Sequence, residues 1–253
     1  MELEKKPAIC TYRVRPGLYS DVGEVVKVWN AAFAKDQLMD ILFPGRQTHP
    51  ELLLAQVTRL FYSRYWTPNY DLHVLTSTTD DKPVGLTWWK RPDSQLSFYG
   101  RWISPGMYDI LYHHVIILTI VLAAWASPII HAWYWLRNKL FPIPNLDQHA
   151  AETFARVFAD IEPKLRTTSR RRDAWYLSTL AVEPSLQGNG LRSMLLNHGL
   201  ERVDKAGVAA WLIGLEGIDS FYERHGFVTV ERANVGELGH WNGGSIMFRK
   251  DTA

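Results

Sequence analysis

The chain has 253 residues, of which 47% are hydrophobic and 21% charged, and this balance excludes disorder for most of its length. Its formal net charge of only +2 argues against a nucleic-acid partner, which would need a concentrated basic face. The single cysteine, Cys10, excludes an internal disulfide and a cysteine-rich zinc site. Together with the charged start of the chain at residues 1–6, these features predict a cytoplasmic protein.

The N-terminal part of the chain is predicted to contain two helices and a β-hairpin. The predicted elements are a strand at 12–15, a helix that begins at Ser20 and Asp21, a helix over Pro50–Tyr65, and strands at 71–77 and Pro83–Lys90. A polar turn joins the last two strands and favours an antiparallel hairpin. Residues 33–44, between the helices, are apolar without clear periodicity, so we expect an irregular segment there.

The C-terminal part is predicted to alternate between strands and helices. Trp175–Val182 is rich in aromatic and β-branched residues, which is typical of a strand. The later elements are predicted as a helix at 191–206, a strand at 208–215, a short helix at 218–224 and an antiparallel pair of strands at 227–232 and Ser245–Arg249. Strands interrupted by helices predict a mixed α/β domain.

One segment, residues 110–136, contains no Asp, Glu, Lys or Arg, and its length and apolarity are typical of a transmembrane helix. The predicted topology argues against a single membrane crossing, because the strands on either side of the segment are predicted to join one sheet. Pro128 also interrupts the apolar segment. Three interpretations remain open: a buried helical pair, a lid over an apolar pocket, or a hairpin that dips into a membrane. Arg137 and Lys139 at the end of the segment fit either a buried or a membrane-contacting position.

Residues 180–196 combine the end of a strand, a glycine-rich turn and the start of a helix. Gly188 and Gly190 let the backbone approach a bulky anion, and the first N–H groups of the helix can donate to phosphate oxygens. The Walker pattern is absent, since no Gly-Lys-Ser/Thr follows, and the dinucleotide pattern lacks its third glycine. The segment therefore predicts a phosphate site of another kind, with a tight structural turn as the alternative.

The motif Gln187-Gly-Asn-Gly-Leu-Arg192 resembles the acetyl-CoA signature of the GNAT superfamily of N-acetyltransferases, Gln/Arg-x-x-Gly-x-Gly/Ala. Trp175–Val182 is similar to the strand before this signature, and Phe221-Tyr222 with Gly226-Phe227 is similar to the family's C-terminal element. Residues 12–16 and 33–44 resemble its fungal branch. The resemblance implies a GNAT fold, a mostly antiparallel mixed sheet flanked by helices, in a single domain over 1–253 with an apolar helical insert at about 93–148.

The resemblance further implies an acyl-CoA-dependent acyltransferase that uses acetyl-CoA as co-substrate and no metal. The residues implied to bind the coenzyme are Leu180, Ala181, Val182, Gln187, Gly188, Asn189, Gly190, Leu191, Arg192 and Ser193. Two departures concern this site: Arg192 replaces the usual Gly or Ala, and the asparagine upstream of the C-terminal tyrosine is missing. Arg192 can clash with the pyrophosphate or pair with it, and we expect pairing because Arg at a helix N-terminus can turn outward.

For the chemistry, the resemblance implies Tyr222 as the acid that protonates the leaving thiolate, with packing as its alternative role. Glu216 is the candidate base, and the N–H of Val182 is expected to polarise the thioester carbonyl. The acceptor is expected to contact an apolar wall formed by Phe33, Met39, Phe43, Trp88 and Trp89. This wall favours an apolar small molecule with an amine or hydroxyl, and the fungal resemblance suggests specialised metabolism.

Two other functions fit parts of the sequence. Arg192 and the missing asparagine favour a GNAT-like enzyme that catalyses another reaction without acetyl transfer. The apolar segment 110–136 favours a membrane-associated binding protein, and it also makes a peripheral membrane contact possible for an enzyme.

Overall fold

The computed structural model describes residues 11–96 and 118–251, and in residues 118–128 it describes the backbone alone. The strands in these ranges are β1 Tyr12–Pro16, β2 Tyr70–Ser77, β3 Pro83–Lys90, β4 Trp175–Val182, β5 Ala210–Gly214, β6 Val228–Arg232 and β7 Ser245–Arg249. They form one sheet in the order β1-β2-β3-β4-β5-β7-β6. Every neighbouring pair is antiparallel except β4 and β5, which are parallel.

The helices pack on both faces of this sheet. They are α1 Val22–Ala32, α2 Gln37–Leu42, α3 Pro50–Tyr65, α4 Leu118–Leu140, α5 Gln148–Leu165, α6 Ser169–Arg172, α7 Leu191–Lys205 and α8 Asp219–Glu223. Apolar residues at helical spacing explain their positions, as in α1, where Val22, Val25, Val26 and Trp29 are buried. The predicted fold is confirmed: a mixed α/β structure with one largely antiparallel sheet flanked by helices.

Two hydrophobic layers cover the two faces of the sheet. On one face α1, α2, α3 and α5 pack over side chains that include Trp88, Trp211 and Phe248. On the other face α7 and α8 pack over Trp89 and Leu212. Since strand side chains alternate between faces, β3, β4, β5 and β7 contribute to both layers. The sheet at β4 and β5 therefore has a separate set of residues on each face.

Three helices, α2, α5 and the short α6, differ from the predicted elements. α2 lies within the segment 33–44, which was expected to be irregular, and that expectation is wrong for Gln37–Leu42. Asp36 accepts a hydrogen bond from the N–H of Leu38 at 2.9 Å and thereby caps this short helix. α5 has no counterpart among the predicted elements, although Thr153, Val157 and Ile161 are buried at a spacing of four residues.

The helix α4 forms the described part of the apolar segment 110–136. Its backbone is one continuous helix, and Pro128 lies inside it. From residue 129 onward its large apolar side chains are mostly exposed, which contradicts a buried helical pair for this part of the segment. Residues 97–117 lie outside the described part, so the extent of the predicted insert at 93–148 stays a prediction. Among the described helices, none is both long enough and apolar enough to cross a bilayer.

Candidate functional site

The site begins where β4 and β5 separate. Their parallel pairing joins Trp175–Leu177 to Ala210–Leu212, whereas β4 continues to Val182 and β5 to Gly214. An irregularity in the pairing of β3 with β4, between Trp88 and Trp89, lies opposite this point. A strand that bulges on one side and loses its neighbour on the other leaves backbone groups free for a ligand. The fold thus opens a cleft in the sheet between β4 and β5.

The turn that follows β4 depends on two glycines. Gly188 and Gly190 have φ values of +84° and +76°, a left-handed conformation that L side chains rarely adopt. A Cβ at either position would meet none of the described atoms within 4 Å, so the turn is open on its outer side. Gly190 is also the N-cap of α7. The turn therefore presents bare backbone to solvent at a helix N-terminus.

Two side chains of the turn hold it to the end of β4. Gln187 Nε2 donates to the carbonyl oxygen of Val182 at 3.1 Å, and Asn189 Nδ2 donates to that of Leu186 at 3.2 Å. Because these amides bond within the turn, the polar groups left to meet an anion are the backbone N–H groups at the start of α7, which have no intrahelical acceptor. The turn is open on its outer side, and the prediction that it binds the pyrophosphate of coenzyme A stays a prediction.

The remaining residues predicted for the coenzyme lie on either side of this turn. Leu180, Ala181 and Val182 pair with Thr87, Leu86 and Gly85 of β3, so their opposite backbone edge borders the cleft. Leu191 is buried in the core under α7, and Ser193 is half-buried in the first turn of the helix. The structure brings all ten predicted residues to one end of β4 and the start of α7. Their contact with a coenzyme stays a prediction.

Arg192 turns toward α8. Its guanidinium lies over the ring of Phe221, with Cζ 5.2 Å from the ring centroid. Its charge is near enough to Tyr222 to lower the pKa of that phenol, although burial has the larger and opposite effect. Arg192 thus stands between the turn and α8, where a long side chain can meet an anion on the turn.

Tyr222 lies in α8 and is buried in the core layer that α7 and α8 form on the sheet. Its ring packs against Phe221 and Phe227, with centroid distances of 5.0 and 5.8 Å. Burial raises the pKa of Tyr222 to about 12. No described residue forms a hydrogen bond with its hydroxyl. The side chain is therefore protonated at neutral pH, and its O–H has no acceptor among the described residues.

The candidate base Glu216 lies beyond the end of β5 and is exposed. A second carboxylate, which the sequence analysis missed, is more enclosed. Asp219 begins α8 and accepts a hydrogen bond from Ser245 Oγ at 2.6 Å, while its Oδ1 is buried without a hydrogen bond from any described residue. A Cβ on Gly214 would approach this oxygen at 2.8 Å. An Asp at the start of a helix is usually a capping residue, so its sequence pattern did not indicate that this carboxylate is buried.

The five residues expected to surround the acceptor are not all on one side. Trp88 and Trp89 are adjacent in β3, fully buried, and face opposite layers of the core. Trp89 packs under α7 against Gly199. Trp88 packs against Phe61 of α3, with ring centroids 5.8 Å apart. A single acceptor pocket can thus border on only one of the two tryptophans.

The other three predicted acceptor residues share the layer of Trp88. Phe33 stacks on Trp29 with centroids 4.8 Å apart, and Met39 is buried in the same layer. Phe33 and Phe43 are partly exposed, so they can contact a ligand. Three residues that matter for this side of the cleft, Arg64, Tyr70 and Tyr176, were missed, because a lone Arg or Tyr in a helix or strand has no distinguishing pattern. Among the described residues, no group of three or more His, Cys, Asp or Glu side chains is arranged to hold a metal.

Comparison with known proteins agrees with this geometry. Residues 131–227 match the model of the Acetyltransferase (GNAT) family. The structure of a histone acetyltransferase HPA2 and related acetyltransferase from Corynebacterium glutamicum superposes with a TM-score of 0.55 at 19% identity, covering 96% of this chain and 98% of that one. The fold is that of the GNAT superfamily. The part that matches the GNAT model contains β4, the glycine turn, α7, β5 and Tyr222.

Two more distant GNAT structures also superpose over nearly the whole chain. A GCN5-related N-acetyltransferase from Rhodopseudomonas palustris has 14% identity and a TM-score of 0.48, covering 94% of this chain and 95% of that one. The PaiA N-acetyltransferase from Thermoplasma acidophilum, in complex with coenzyme A, has 13% identity and a TM-score of 0.42, covering 95% and 99%. At such identities the likeness concerns the fold alone.

Proposed function

We propose that this GNAT-fold protein is an acetyl-CoA-dependent acyltransferase that acetylates an amine of a small, largely apolar molecule. The observation that carries the proposal is the open glycine turn at Gly188 and Gly190, which lies at the N-terminus of α7 and beside the cleft between β4 and β5. The match of residues 131–227 to the GNAT family supports the same activity. A cytoplasmic location and an acceptor from specialised metabolism stay predictions.

Different groups of the site would bind different parts of the coenzyme. Backbone N–H groups at the start of α7 would bind the pyrophosphate, with Arg192 near enough to add a charged hydrogen bond. The free edge of β4 from Leu180 to Val182 would hold the pantetheine arm along the cleft. Acetyl-CoA, when bound, supplies the acetyl group as an activated thioester. The N–H of Val182 is the candidate donor to the carbonyl oxygen of that thioester.

Proton transfer would involve Tyr222 and a carboxylate. Because burial raises the pKa of Tyr222 to about 12, this hydroxyl is protonated at neutral pH and can donate to a departing thiolate. Glu216 is the candidate base at the other end of the reaction. Its exposure suits a base that acts through water on an amine that enters the cleft. Asp219 is a second candidate, because its Oδ1 is buried near the same end of β5 without a hydrogen bond from the described residues.

The proposal is tested by calorimetric titration of the protein with acetyl-CoA and by comparison of two matched variants. Gly190→Glu places a bulky carboxylate in the turn and should abolish binding through bulk and like charge. Gly207→Glu is the control, because Gly207 also has a positive φ, +69°, and open space around it, but lies beyond the far end of α7. Both substitutions impose similar backbone strain, so a difference between them reports on the site.

The expected result is saturable binding to the wild type and to Gly207→Glu, with loss of binding in Gly190→Glu. Equal binding by all three proteins would show that the turn is not the pyrophosphate site. A folded wild type that does not bind acetyl-CoA would contradict the proposal and favour the repurposed GNAT-like enzyme, in which Arg192 serves another reaction.

A further inference from the structure

A cation lies on the acceptor side of the cleft without a carboxylate partner. The guanidinium of Arg64, in the last turn of α3, lies over the ring of Tyr70 at 4.8 Å from its centroid, with Phe61 and Trp88 at 5.5 and 5.7 Å. Its hydrogen bond is a long one, from Nη1 to Thr179 Oγ1 at 3.5 Å. No described Asp or Glu forms an ion pair with it. A charge enclosed by aromatic rings is costly unless an anion compensates it.

Arg64 lies close to the cleft, because its hydrogen-bond partner Thr179 belongs to β4. Thr179 lies on β4 just past the irregular pairing with β3, and past Leu177, the last residue of β4 that pairs with β5. Arg64 approaches from the layer of α1, α3 and α5, whereas Tyr222 belongs to the layer of α7 and α8. With the coenzyme on the turn beside α7, we expect the acceptor to enter from the opposite layer. Arg64 is therefore beside the entry that the acceptor would use.

The surroundings of Arg64 are aromatic and positively charged. Lys90 Nζ lies 5.7 Å from the centroid of the same Tyr70 ring, and Tyr176 stacks on Trp211 with centroids 4.1 Å apart. A cavity of about 340 Å³ adjoins Tyr176, and its basic lining residues are Lys90, Arg91, Arg166 and Arg172. Its acidic lining residues are Asp93 and Asp173, which accept hydrogen bonds from Asn69 Nδ2 and Ser94 Oγ.

We propose that the acceptor of this acyltransferase carries a carboxylate and that Arg64 binds it, while the aromatic rings of Tyr70 and Tyr176 contact its apolar part. The inference rests on the proposed function and names its substrate class: amino acids with an apolar or aromatic side chain, or similar amino-carboxylic acids. A planar guanidinium can bind a planar carboxylate through two parallel N–H···O hydrogen bonds. The basic cavity would raise the local concentration of such a substrate.

The test measures release of free coenzyme A with matched pairs of acceptors that differ in the carboxylate alone. The pairs are L-phenylalanine with phenethylamine, and L-tryptophan with tryptamine. The wild type should prefer the carboxylate member by tenfold or more in kcat/KM, as expected on the order of one charged hydrogen bond. Arg64→Met should remove this preference and leave acetyl-CoA affinity unchanged. Arg59→Met, on the same helix, is the control and should keep the preference.

Several results would overturn the carboxylate proposal: equal use of both members, a preference for the amines, an unchanged preference in Arg64→Met, or no transfer to any member by a protein that binds acetyl-CoA. A wild-type protein that does not bind acetyl-CoA would instead contradict the proposed function itself. If Arg64→Met does not fold, Arg64→Lys tests the proposal instead, because it keeps the positive charge but loses the planar pair of N–H donors. It should raise KM for the carboxylate member while kcat stays within about twofold, and an unchanged KM would contradict the proposal.

A separate observation concerns the surface of α4. The end of this helix and the residue that follows it carry large apolar side chains that are each 46–65% exposed: Ile129, Trp133, Trp135, Leu136, Leu140 and Phe141. Tyr134 is buried there, with its hydroxyl 3.5 Å from that of Tyr19. A helix that is apolar around most of its circumference is normally covered by protein or lipid.

The charges near this exposed surface are basic. Arg137 lies over the ring of Trp133 at 5.5 Å, and Lys139 Nζ lies over that of Trp135 at 5.2 Å. Arg59 of α3 donates to the carbonyl oxygen of Phe141 at 2.6 Å. Residues 129–141 contain no Asp or Glu. Tryptophan beside Lys and Arg is the composition of helices that lie in the headgroup region of a bilayer.

We infer that residues 129–141 bind the surface of an anionic phospholipid bilayer. The tryptophans would enter the interface, and Arg137 and Lys139 would pair with lipid phosphates. The contact of Tyr134 with Tyr19 would tie the lipid-bound helix to the folded core. Such a helix lies in the interface and does not need the length of a membrane-crossing one.

Co-sedimentation with vesicles tests this inference. The full chain should bind vesicles that contain phosphatidylserine more than vesicles of phosphatidylcholine alone, and the double variant Trp133→Ala/Trp135→Ala should lose at least tenfold in partitioning. The control Val228→Ala/Val235→Ala alters two exposed apolar side chains elsewhere and should bind like the wild type. No binding to either vesicle, or unchanged binding by the tryptophan variant, would refute the inference. Self-association that the tryptophan variant abolishes, without vesicle binding, would assign the surface to a second copy instead.

Discussion

The indole ring of Trp89 occupies the space that a side chain at Gly199 would need. Any Cβ at position 199 would overlap the ring of Trp89, which is fully buried between β3 and α7. The absence of a side chain at this position lets α7 approach the sheet closely. The helix that carries the glycine turn is thus fixed to the sheet at its middle.

Gly199→Ala should therefore destabilise the protein by about 1–3 kcal/mol, because the added methyl group overpacks a full core. Gly23→Ala is the matched control, since Gly23 also lies within a helix but its Cβ would meet only Tyr62 Oη at 3.9 Å. That change should be neutral or stabilise by up to about 1 kcal/mol. Denaturant unfolding of both variants measures the difference. Equal effects would mean that the tryptophan can move aside.

Tyr222→Phe should lower kcat for acetyl transfer by about 10²-fold or more, while acetyl-CoA affinity stays within a factor of about two. The reason is that the variant keeps the packing against Phe221 and Phe227 but loses the O–H that protonates the thiolate. Steady-state kinetics and calorimetry separate the two quantities. Tyr19→Phe, on the opposite layer of the molecule, is the control. An unchanged kcat would leave Tyr222 with a packing role alone.

The sequence predicted the strands and the helices α1, α3, α7 and α8 well, because their signals are local. Trp175–Val182 has a β-branched and aromatic composition, and the bounds of this strand agree with the structure. The glycine turn was equally visible, since positive φ values at Gly188 and Gly190 explain why glycine is needed there. These signals need no knowledge of the rest of the chain.

The features that were missed depend on contacts between distant segments. Arg64 becomes notable only because α3 brings it over Tyr70 and beside Thr179 of β4. Trp88 and Trp89, by contrast, lie in opposite core layers because adjacent residues of a strand alternate between faces, so the predicted strand Pro83–Lys90 already argued against one pocket that borders both. Composition likewise identified the apolar segment 110–136 but left its environment open, because apolar side chains are equally compatible with a core and with lipid.

The stability of the protein should fall in mild acid because of His73. Burial first, and then the charges of Arg202 and His198, lower the pKa of His73 to about 3. Between pH 3 and the ordinary histidine pKa, His73 is protonated in the unfolded chain but neutral in the folded one. The free energy of unfolding is therefore highest above the ordinary histidine pKa and decreases as the pH falls toward 3. The loss should be about 2 kcal/mol between pH 8 and pH 5.

Urea unfolding at the two pH values measures this loss in the wild type and in two variants. His73→Gln should lose distinctly less between them, because the titrating group is gone. His49→Gln replaces an exposed histidine and should behave like the wild type. A wild-type loss that persists in His73→Gln would assign the acid sensitivity to other groups.

Asp71 and Arg202 provide the last prediction, because the carboxylate is far more buried than its partner. Asp71 is 3% exposed and accepts from Arg202 Nη2 at 2.6 Å, with Arg91 at 3.3 Å on its other oxygen, whereas the side chain of Arg202 is 34% exposed. Removing Arg202 leaves a buried charge with one distant partner, whereas removing the charge of Asp71 leaves a cation that water can reach. Arg202→Met should therefore destabilise the protein more, by about 2–3 kcal/mol, than Asp71→Asn.

A double-mutant cycle measures the coupling of the pair. The combined variant should be destabilised by less than the sum of the two single variants, because Arg202→Met has little further effect once the carboxylate is gone. Additive costs would mean that the pair contributes packing and no electrostatic coupling between β2 and α7.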